Sequence, residues 1–518
     1  MATDTKAGGK AKAVTLGVFA LGMIEVTAVL SIRNYPSMAE EGWSMIGWYV
    51  LGLILFFLPL SLVGAELATG WPKGGGVYAW VREAFGESSG FISIWSEWTE
   101  NVVWFPTVLS FISGTFAYAF SASLGNNPVY NIVVMMAVFW GVTALAFFGE
   151  RYSSAISTWG GIFGVILPST VLVVLLVVYL IQGNGPVVPF SLGAMVPTFD
   201  LGTLPFVATV VLLFAGMEMA GFHALETKDP ARDFPRAIMI SAAAIFSLSV
   251  LGTLAILYTV PAKELSLAAG VIQAIQAMLE HLKLGWLTAP MAVLIAVGSV
   301  AQLSTWLVGP AKGLGVAAAQ GDLPKVWRQH NKHQSPVAVL LIQGVIGTAF
   351  ALLFVLMPSV NSAYWVLSAV TTEVIIIMYF FMFAAVIRLR YTQPDTPRAY
   401  RIPGGKAGVW VVAGVAIMAL AFSFAVGLMP PSIVKNVGTL TYVLVILGVS
   451  LMLSVGAPML FWAFRKPGWV APNAAAYLES GEDDSAKVAP AAPTAPAAPT
   501  AEAADAAEAS EPPEGGAR

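Results

Sequence analysis

The sequence contains no cysteine, so disulfide bonds, thiolate nucleophiles and cysteine-ligated metals are excluded. It is also poor in charge, since only 11% of its 518 residues are Asp, Glu, Lys or Arg, against about 25% in ordinary soluble domains. The phosphate-binding pattern G-x-x-x-x-G-K-[ST] and the metalloprotease pattern H-E-x-x-H do not occur. We therefore expect no enzyme, no cofactor, no metal and no nucleic-acid partner.

Long apolar runs are abundant instead, and 57% of the residues are hydrophobic. The runs recur from Val14 to Phe464, and each is long enough to cross a bilayer, which takes about 20 residues. They predict an all-α membrane protein with twelve transmembrane helices. The predicted spans are 14–38, 44–69, 90–120, 129–149, 157–182, 204–226, 236–260, 284–318, 337–357, 362–388, 408–428 and 440–464.

The positions of the basic residues support twelve spans, because Lys and Arg accumulate in cytoplasmic loops. If the N-terminus is cytoplasmic, only four of the 26 basic residues fall outside the cell. If one span had been missed, the basic residues after it would have been assigned to the wrong side of the membrane, and the separation would have been lost. We therefore predict a multi-pass protein of the bacterial inner membrane with both termini cytoplasmic. The four residues on the outside are Arg33, Lys263, Lys283 and Lys435.

The remaining segments complete the predicted organisation. Residues 1–13 form a cytoplasmic N-terminal segment, and residues 14–466 form the transmembrane domain. Within that domain, 73–86 and 263–283 are predicted as short amphipathic helices that do not cross the membrane. Residues 467–518 are rich in Ala, Pro and Glu and have little to bury, which predicts a disordered cytoplasmic tail.

Two spans contain glycines next to a carboxylate. In span six Gly216 precedes Glu218, and in span one Gly22 precedes Glu25. A carboxylate at bilayer depth costs about 2.5–3.5 kcal/mol, so its presence calls for a function. Glycines in one membrane helix can instead mark close helix packing. Interruptions at matching places in two five-span halves, however, are typical of a transporter binding site.

Three further acids are predicted to lie in the membrane. Glu97 and Glu100 fall on one face of span three, beside Trp98 and Trp104, and Glu373 falls inside span ten. No basic residue is expected deep in the membrane to neutralise all the acids. An acidic interior lined by tryptophan favours a substrate that carries an amine. The alternative for Glu97 or Glu100 is a hydrated position near the membrane surface.

Four stretches of the sequence resemble the amino acid–polyamine–organocation superfamily over nearly the whole hydrophobic region. They follow spans two, six, eight and ten. The subfamily that these stretches resemble, through GWPKGGGVYAWV, STWLVGPAKG and YRIPGGK, is that of the bacterial glutamate:γ-aminobutyrate antiporters. The four stretches are ELATGWPKGGGVYAWVREAFG, FAGMEMAGFHALETKDPARDFPRAI, PAKGLGVAAAQGDLPKVWRQHNKHQSPVAVL and PRAYRIPGG.

The resemblance implies two inverted five-helix repeats with discontinuous helices one and six, plus two extra helices. It implies that Glu218 acts in pH sensing or proton coupling, and that Gly216, Met217 and Met219 belong to the unwound substrate-binding stretch. Span one departs from the family pattern, because it carries G-M-I-E in place of a G-S-G type break. Gln302 stands where the glutamate:γ-aminobutyrate group has an acidic residue.

Together these features predict a secondary active transporter of amino acids or their decarboxylated amines, working by alternating access through antiport or proton coupling. The alternative is a proton-driven polyamine or organic-cation permease, because a substrate without a carboxylate would suit Glu25. The expected partners are a small amino acid or amine, protons and the lipid bilayer. Glu218 is predicted for proton coupling, and the predicted substrate-binding residues are Gly22, Met23, Ile24, Glu25, Glu97, Trp98, Glu100, Trp104, Gly216, Met217, Met219, Gln302, Leu303, Trp306 and Glu373.

Overall fold

The structure is a computed structural model that describes residues 17–73, 75–148, 160–217, 229–333, 335–434 and 437–480. Within these ranges every regular element is a helix, and no strand occurs. The main helices are α1 Val18–Val29, α2 Tyr35–Ala39, α3 Gly42–Gly70, α4 Val77–Phe85, α5 Glu87–Ala117, α6 Pro128–Ala146, α7 Ile162–Ile181, α8 Leu204–Phe214, α9 Pro230–Thr259, α10 Gly270–His281, α11 Thr288–Ala319, α12 Val337–Leu356, α13 Val360–Thr392, α14 Gly405–Gly427, α15 Thr439–Ala463 and α16 Ala474–Ser480.

Nine helices of the described part are long and apolar enough to cross a membrane: α3, α6, α7, α9 and α11 to α15. Helices α1 and α8 lie within predicted spans one and six, and α5 overlaps most of predicted span three. Helix α5 has 31 residues, but its Glu and Ser residues lower its mean hydropathy. Helix α8 is short because the chain leaves the helix after Phe214. The all-helical membrane architecture is confirmed, while the count of twelve and the inverted repeat stay predictions.

Local sequence explains where several helices begin. Asn127 caps α6, because its side-chain oxygen accepts bonds from the backbone N–H groups of Val129 and Tyr130 at 2.9 and 3.1 Å. Ser359 caps α13 in the same way, through the N–H of Ser362 at 3.1 Å. These caps fix the starts of helices that pack around the centre of the bundle. That centre is formed by α5, which packs along both α13 and α11.

The short segments outside the spans are helical in part. Helix α4 lies within predicted segment 73–86, and α10 occupies the second half of 263–283. The predicted tail begins with folded structure, because a turn at Pro467–Trp469 is followed by helix α16, which packs against α11. There the N–H of Ala471 bonds to the carbonyl of Ala319 at 2.8 Å. Residues 481–518 lie outside the described residues.

The break in span one is not where the glycine pattern placed it. Helix α1 continues through Gly22 and Glu25, and the chain leaves the helix only at Leu30 and Ser31, where ψ is 110° and 91°. Gly22 instead packs against α9, since a Cβ on it would lie 3.6 Å from the carbonyl oxygen of Ala237. Gly22 thus lies in a contact between two helices, the alternative use of glycine in a membrane helix, although the space there would also accommodate an alanine.

The break in span six lies where the sequence predicted it. Helix α8 ends at Phe214, and Ala215 is extended with ψ 148°. Gly216 has φ +105°, a conformation that side chains with a Cβ rarely adopt. Met217 is buried, whereas Glu218 and Met219 lie outside the described residues, so their predicted functions stay predictions.

Candidate functional site

A cavity of about 50 Å³ lies between the two helix breaks. One water molecule needs about 10–15 Å³, so several would fit. Both breaks contribute to its wall, and the remaining wall comes from α5, α11 and α13. The lining residues are Val29, Ser31, Arg33, Glu97, Glu100, Asn101, Trp104, Leu212, Ala215, Gly216, Gln302, Trp306, Ile375 and Tyr379.

Helix α5 supplies the acidic side of the cavity. Glu97, Glu100 and Trp104 are spaced three and four residues apart, which places them on one helix face, and all three are buried. Asn101 lies on the same face, and its side-chain N–H donates to Glu100 Oε2 at 2.9 Å and to the carbonyl of Glu97 at 3.0 Å. Both acids are therefore enclosed by the protein, while their depth in the membrane stays a prediction.

Arg33 supplies a positive charge in the same cavity. It follows the break in span one, in the short helical turn Ile32–Asn34, and only 4% of it is exposed. Its Nη1 donates to Thr107 Oγ1 at 3.0 Å and to the hydroxyl of Tyr364 at 3.3 Å. The guanidinium carbon lies 5.0 Å from the ring centre of Trp104. The charge count assigned Arg33 to the outer side of the membrane, which stays a prediction; that its side chain is buried in the cavity wall was not predicted.

The backbone at both breaks is held by side chains that line the cavity. The N–H of Gly216 donates to the hydroxyl of Tyr379 at 3.2 Å. Gln302 donates through Nε2 to the carbonyl of Leu30 at 3.5 Å. Trp306 covers Gly216 so closely that a Cβ there would lie 3.3 Å from its ring. Predicted residues Gln302 and Trp306 thus connect α11 to both breaks.

Several predicted site residues lie away from the cavity. The carboxylate of Glu25 accepts a hydrogen bond from Ser241 of α9. Trp98 donates to Gln343 of α12 at 3.0 Å, and Leu303 is fully buried in a hydrophobic cluster. Glu373 lies beside Gly427 of α14. Of the other predicted residues, Gly22, Met23 and Met217 are not among the lining residues, and the side chain of Ile24 is not described.

The sequence prediction missed four polar lining residues, of which Ser31 lies at the break in span one itself. Asn101 could have been found, because it lies four residues after Glu97 and therefore on the same helix face. Tyr379 lies six residues after Glu373, and its sequence position does not reveal its hydrogen bond with Gly216. Arg33 was hidden because a basic residue at the end of a span is normally assigned to a loop. Its burial follows from contacts with distant helices.

The chain was compared with known proteins. A family model described as "Amino acid permease" matches residues 16–469. An uncharacterized transporter of Legionella pneumophila, lpg1691, is 41% identical over 86% of this chain and 96% of its own length. A glutamate/gamma-aminobutyrate antiporter of Lactococcus lactis is 31% identical over 83% of this chain and 87% of its own length. The probable agmatine/putrescine antiporter AguD of the same species is 23% identical over 73% of this chain and 82% of its own length.

These matches agree with the motifs after spans two, six, eight and ten, and they confirm the resemblance that those motifs carried. The family match covers all nine of the long apolar helices in the described part. The chain is therefore a multi-pass membrane protein, and it belongs to the amino acid permease family of the amino acid–polyamine–organocation superfamily.

Proposed function

We propose that this protein is a secondary active antiporter that exchanges amino acids, or an amino acid for its decarboxylated amine, by alternating access. Substrate would bind in the cavity between the two helix breaks, in the cytoplasmic membrane of a bacterium. The observation that carries this proposal is a cavity between two broken helices that is lined by charges of both signs. Binding sites at paired helix breaks are typical of transporters.

The charges in the cavity need an explanation, because ionisable groups at bilayer depth are costly and are usually functional. Glu97 and Glu100 suit an ammonium group, and Trp104 and Trp306 add aromatic faces that favour cations. The bends at Leu30 and Gly216 also leave backbone groups close to the cavity that are not part of a continuous helix. A small molecule with at least one amine could therefore bind to the acidic and aromatic side chains of this wall.

The mode of transport is supported by the relatives and by the sequence. Two of the relatives are named as antiporters, one for glutamate and γ-aminobutyrate and one, as probable, for agmatine and putrescine. The chain lacks a phosphate-binding loop, so an ion gradient or exchange would drive transport. Glu218, directly after the described end of the span-six break, remains our proposed proton-linked residue.

A second candidate is a proton-driven permease for polyamines or other organic cations. The two acids and two tryptophans of the cavity favour it. Arg33 disfavours it, because a guanidinium in the same cavity would repel a substrate whose charges are all positive. The two candidates therefore differ in which substrates they accept.

Counterflow into proteoliposomes tests the proposal. Vesicles loaded with unlabelled glutamate, γ-aminobutyrate, arginine, agmatine or putrescine are given the labelled compound outside, at acidic and neutral pH. We expect uptake only when an accepted amino acid or amine is inside. Uptake of diamines alone would support the cation permease, and uptake independent of the internal compound would contradict exchange.

Two variants connect the result to the cavity. Glu97→Gln removes a charge from the wall and should lower exchange strongly, whereas Glu280→Gln removes an exposed carboxylate of α10 and should leave exchange unchanged. Equal activity in both variants would place the site elsewhere. Glu218→Gln in the same vesicles should flatten the pH dependence, and an unchanged dependence would remove Glu218 from proton coupling.

A further inference from the structure

Arg33 is a buried cation in the cavity wall, and no described acid lies close enough to pair with it. Only 4% of Arg33 is exposed. Within the described ranges, no carboxylate oxygen lies within 4.0 Å of a nitrogen of its guanidinium, so it forms no ion pair there. A charge removed from water without a partner is expensive. Neutral side chains hold the Arg33 guanidinium in place without supplying a negative charge. A mobile anion that binds to the guanidinium would supply it.

We propose that Arg33 binds the carboxylate of the substrate and thereby restricts this transporter to amino acids rather than diamines. The inference rests on the proposed function and names the substrate class of the same cavity. Neither the glycine pattern nor the buried acids had pointed to Arg33.

The geometry of the guanidinium supports this assignment. Both of its hydrogen bonds come from Nη1, to Thr107 of α5 and Tyr364 of α13. Its Nε is buried and has no hydrogen-bond partner in the described part of the chain. A carboxylate binds best to two parallel N–H groups of one guanidinium edge. The edge formed by Nε and Nη2 makes no hydrogen bond within the described chain, but Nε is buried, so a carboxylate would reach this edge only when the cavity wall moves; Nη1 meanwhile fixes the group in position.

The neighbours of Arg33 in the cavity fit the other end of an amino acid. Glu97 and Glu100 line the same small cavity, and they suit an ammonium group. A zwitterion would thus meet an opposite charge at each end. A diamine would bring further positive charge next to the guanidinium and would leave it buried without an anion, which is unfavourable. The rival explanation is that Arg33 acts only through space to offset the charges of Glu97 and Glu100.

Pairs of compounds that differ only in the carboxylate separate the two explanations. γ-Aminobutyrate is compared with 4-aminobutanol, and leucine with leucinol, as competitors of labelled substrate uptake in proteoliposomes. The measured quantity is the ratio of inhibition constants within each pair. This ratio does not depend on the fraction of folded protein, so partial misfolding of a variant does not alter it. In the unsubstituted protein we expect the carboxylate to improve inhibition at least about tenfold for the accepted pair.

Arg33→Gln should bring that ratio close to one, and Arg33→Lys should keep part of it, because an ammonium retains the charge without the planar fork. Glu97→Gln is the matched control, since it removes the opposite charge from the same cavity. It should weaken both members of a pair and leave their ratio unchanged. An unchanged ratio in Arg33→Gln would overturn the inference and leave Arg33 as an electrostatic neighbour of the acids.

The proposed function fails in a different way. If the unsubstituted protein catalyses no counterflow of any amino acid or amine, the antiporter proposal is wrong. If it catalyses counterflow but accepts 4-aminobutanol as well as γ-aminobutyrate, and leucinol as well as leucine, only the assignment of Arg33 is wrong.

Discussion

Arg33 and Arg390 are both buried arginines of this membrane protein, but their surroundings differ. Arg390 of α13 forms two parallel hydrogen bonds of 2.5 Å to the carboxylate of Glu66, and its Nη2 also donates to the carbonyl of Ile402 at 3.0 Å. Glu66 in turn accepts a bond from the N–H of Ile402 at 2.9 Å. Arg33 has two neutral hydroxyl partners and an aromatic ring, and no close acid in the described chain.

The difference shows how the surroundings of a buried charge indicate its function. Glu66, Arg390 and Ile402 satisfy one another, so they join α3, α13 and the segment before α14 into one unit and have little capacity for a ligand. Arg33 is held in place but is not neutralised. The same residue type is thus structural at one position and suited to binding at the other.

The largest expected effect comes from removing the acid of the satisfied pair. Glu66→Gln would leave Arg390 buried without its carboxylate and should reduce the free energy of unfolding by about 3–5 kcal/mol. Arg33→Gln should change stability far less, because no close ion pair is broken. Thermal unfolding of both variants in one detergent checks this. Equal losses of stability would contradict the distinction between the two arginines.

The same contrast shows what sequence could and could not predict. The spans, the polar face of α5 and the break at Gly216 follow from local patterns, namely apolar length, helical spacing and glycine beside an acid. Gly22 and Glu25 show an equivalent pattern but lie inside a helix, where Gly22 faces α9. Local sequence does not distinguish a glycine that breaks a helix from one that allows contact.

Arg33 shows a second limit. Its position near the end of predicted span one placed it among the basic residues counted on the outside. Its burial depends on Thr107, 74 residues away, and Tyr364, 331 residues away. Such contacts exist only once α5 and α13 have packed against the first break. For this reason the acids of the cavity could be predicted from the sequence, whereas the buried cation in the same cavity could not.

A smaller effect on stability is expected for a buried acid that lacks a close arginine, Asp322, than for Glu66, which has one. Asp322, after α11, is 1% exposed and accepts a hydrogen bond from Tyr78 at 2.9 Å, but its closest arginine, Arg465, is 3.9 Å away and partly exposed. Burial without a close cation raises the pKa of Asp322 to about 7. Glu66, by contrast, has Arg390 at 2.5 Å.

The folded protein therefore binds the proton of Asp322 more tightly than the unfolded chain does. Its contribution to stability is largest at low pH and is lost as the pH rises from about 4 to about 7. Between pH 5 and pH 8 the unsubstituted protein should lose on the order of 1–2 kcal/mol more than Asp322→Asn. Unfolding curves at several pH values measure this. Asp395→Asn, which removes an exposed carboxylate, should behave like the unsubstituted protein, and parallel pH profiles for all three proteins would refute the prediction.

The smallest effect tests how firmly Arg33 is held. The hydroxyl of Tyr364 accepts a bond from Nη1 of Arg33 and donates one to its backbone carbonyl at 3.0 Å. Tyr364→Phe keeps the ring but removes both bonds, worth about 1 kcal/mol, so the γ-aminobutyrate to 4-aminobutanol selectivity should fall roughly fivefold. Tyr442→Phe is the matched control, because it removes a hydroxyl that accepts a bond from the neighbouring Trp365 at 2.8 Å, outside the cavity. If both variants lower the selectivity equally, α13 acts through general packing and Tyr364 does not position Arg33.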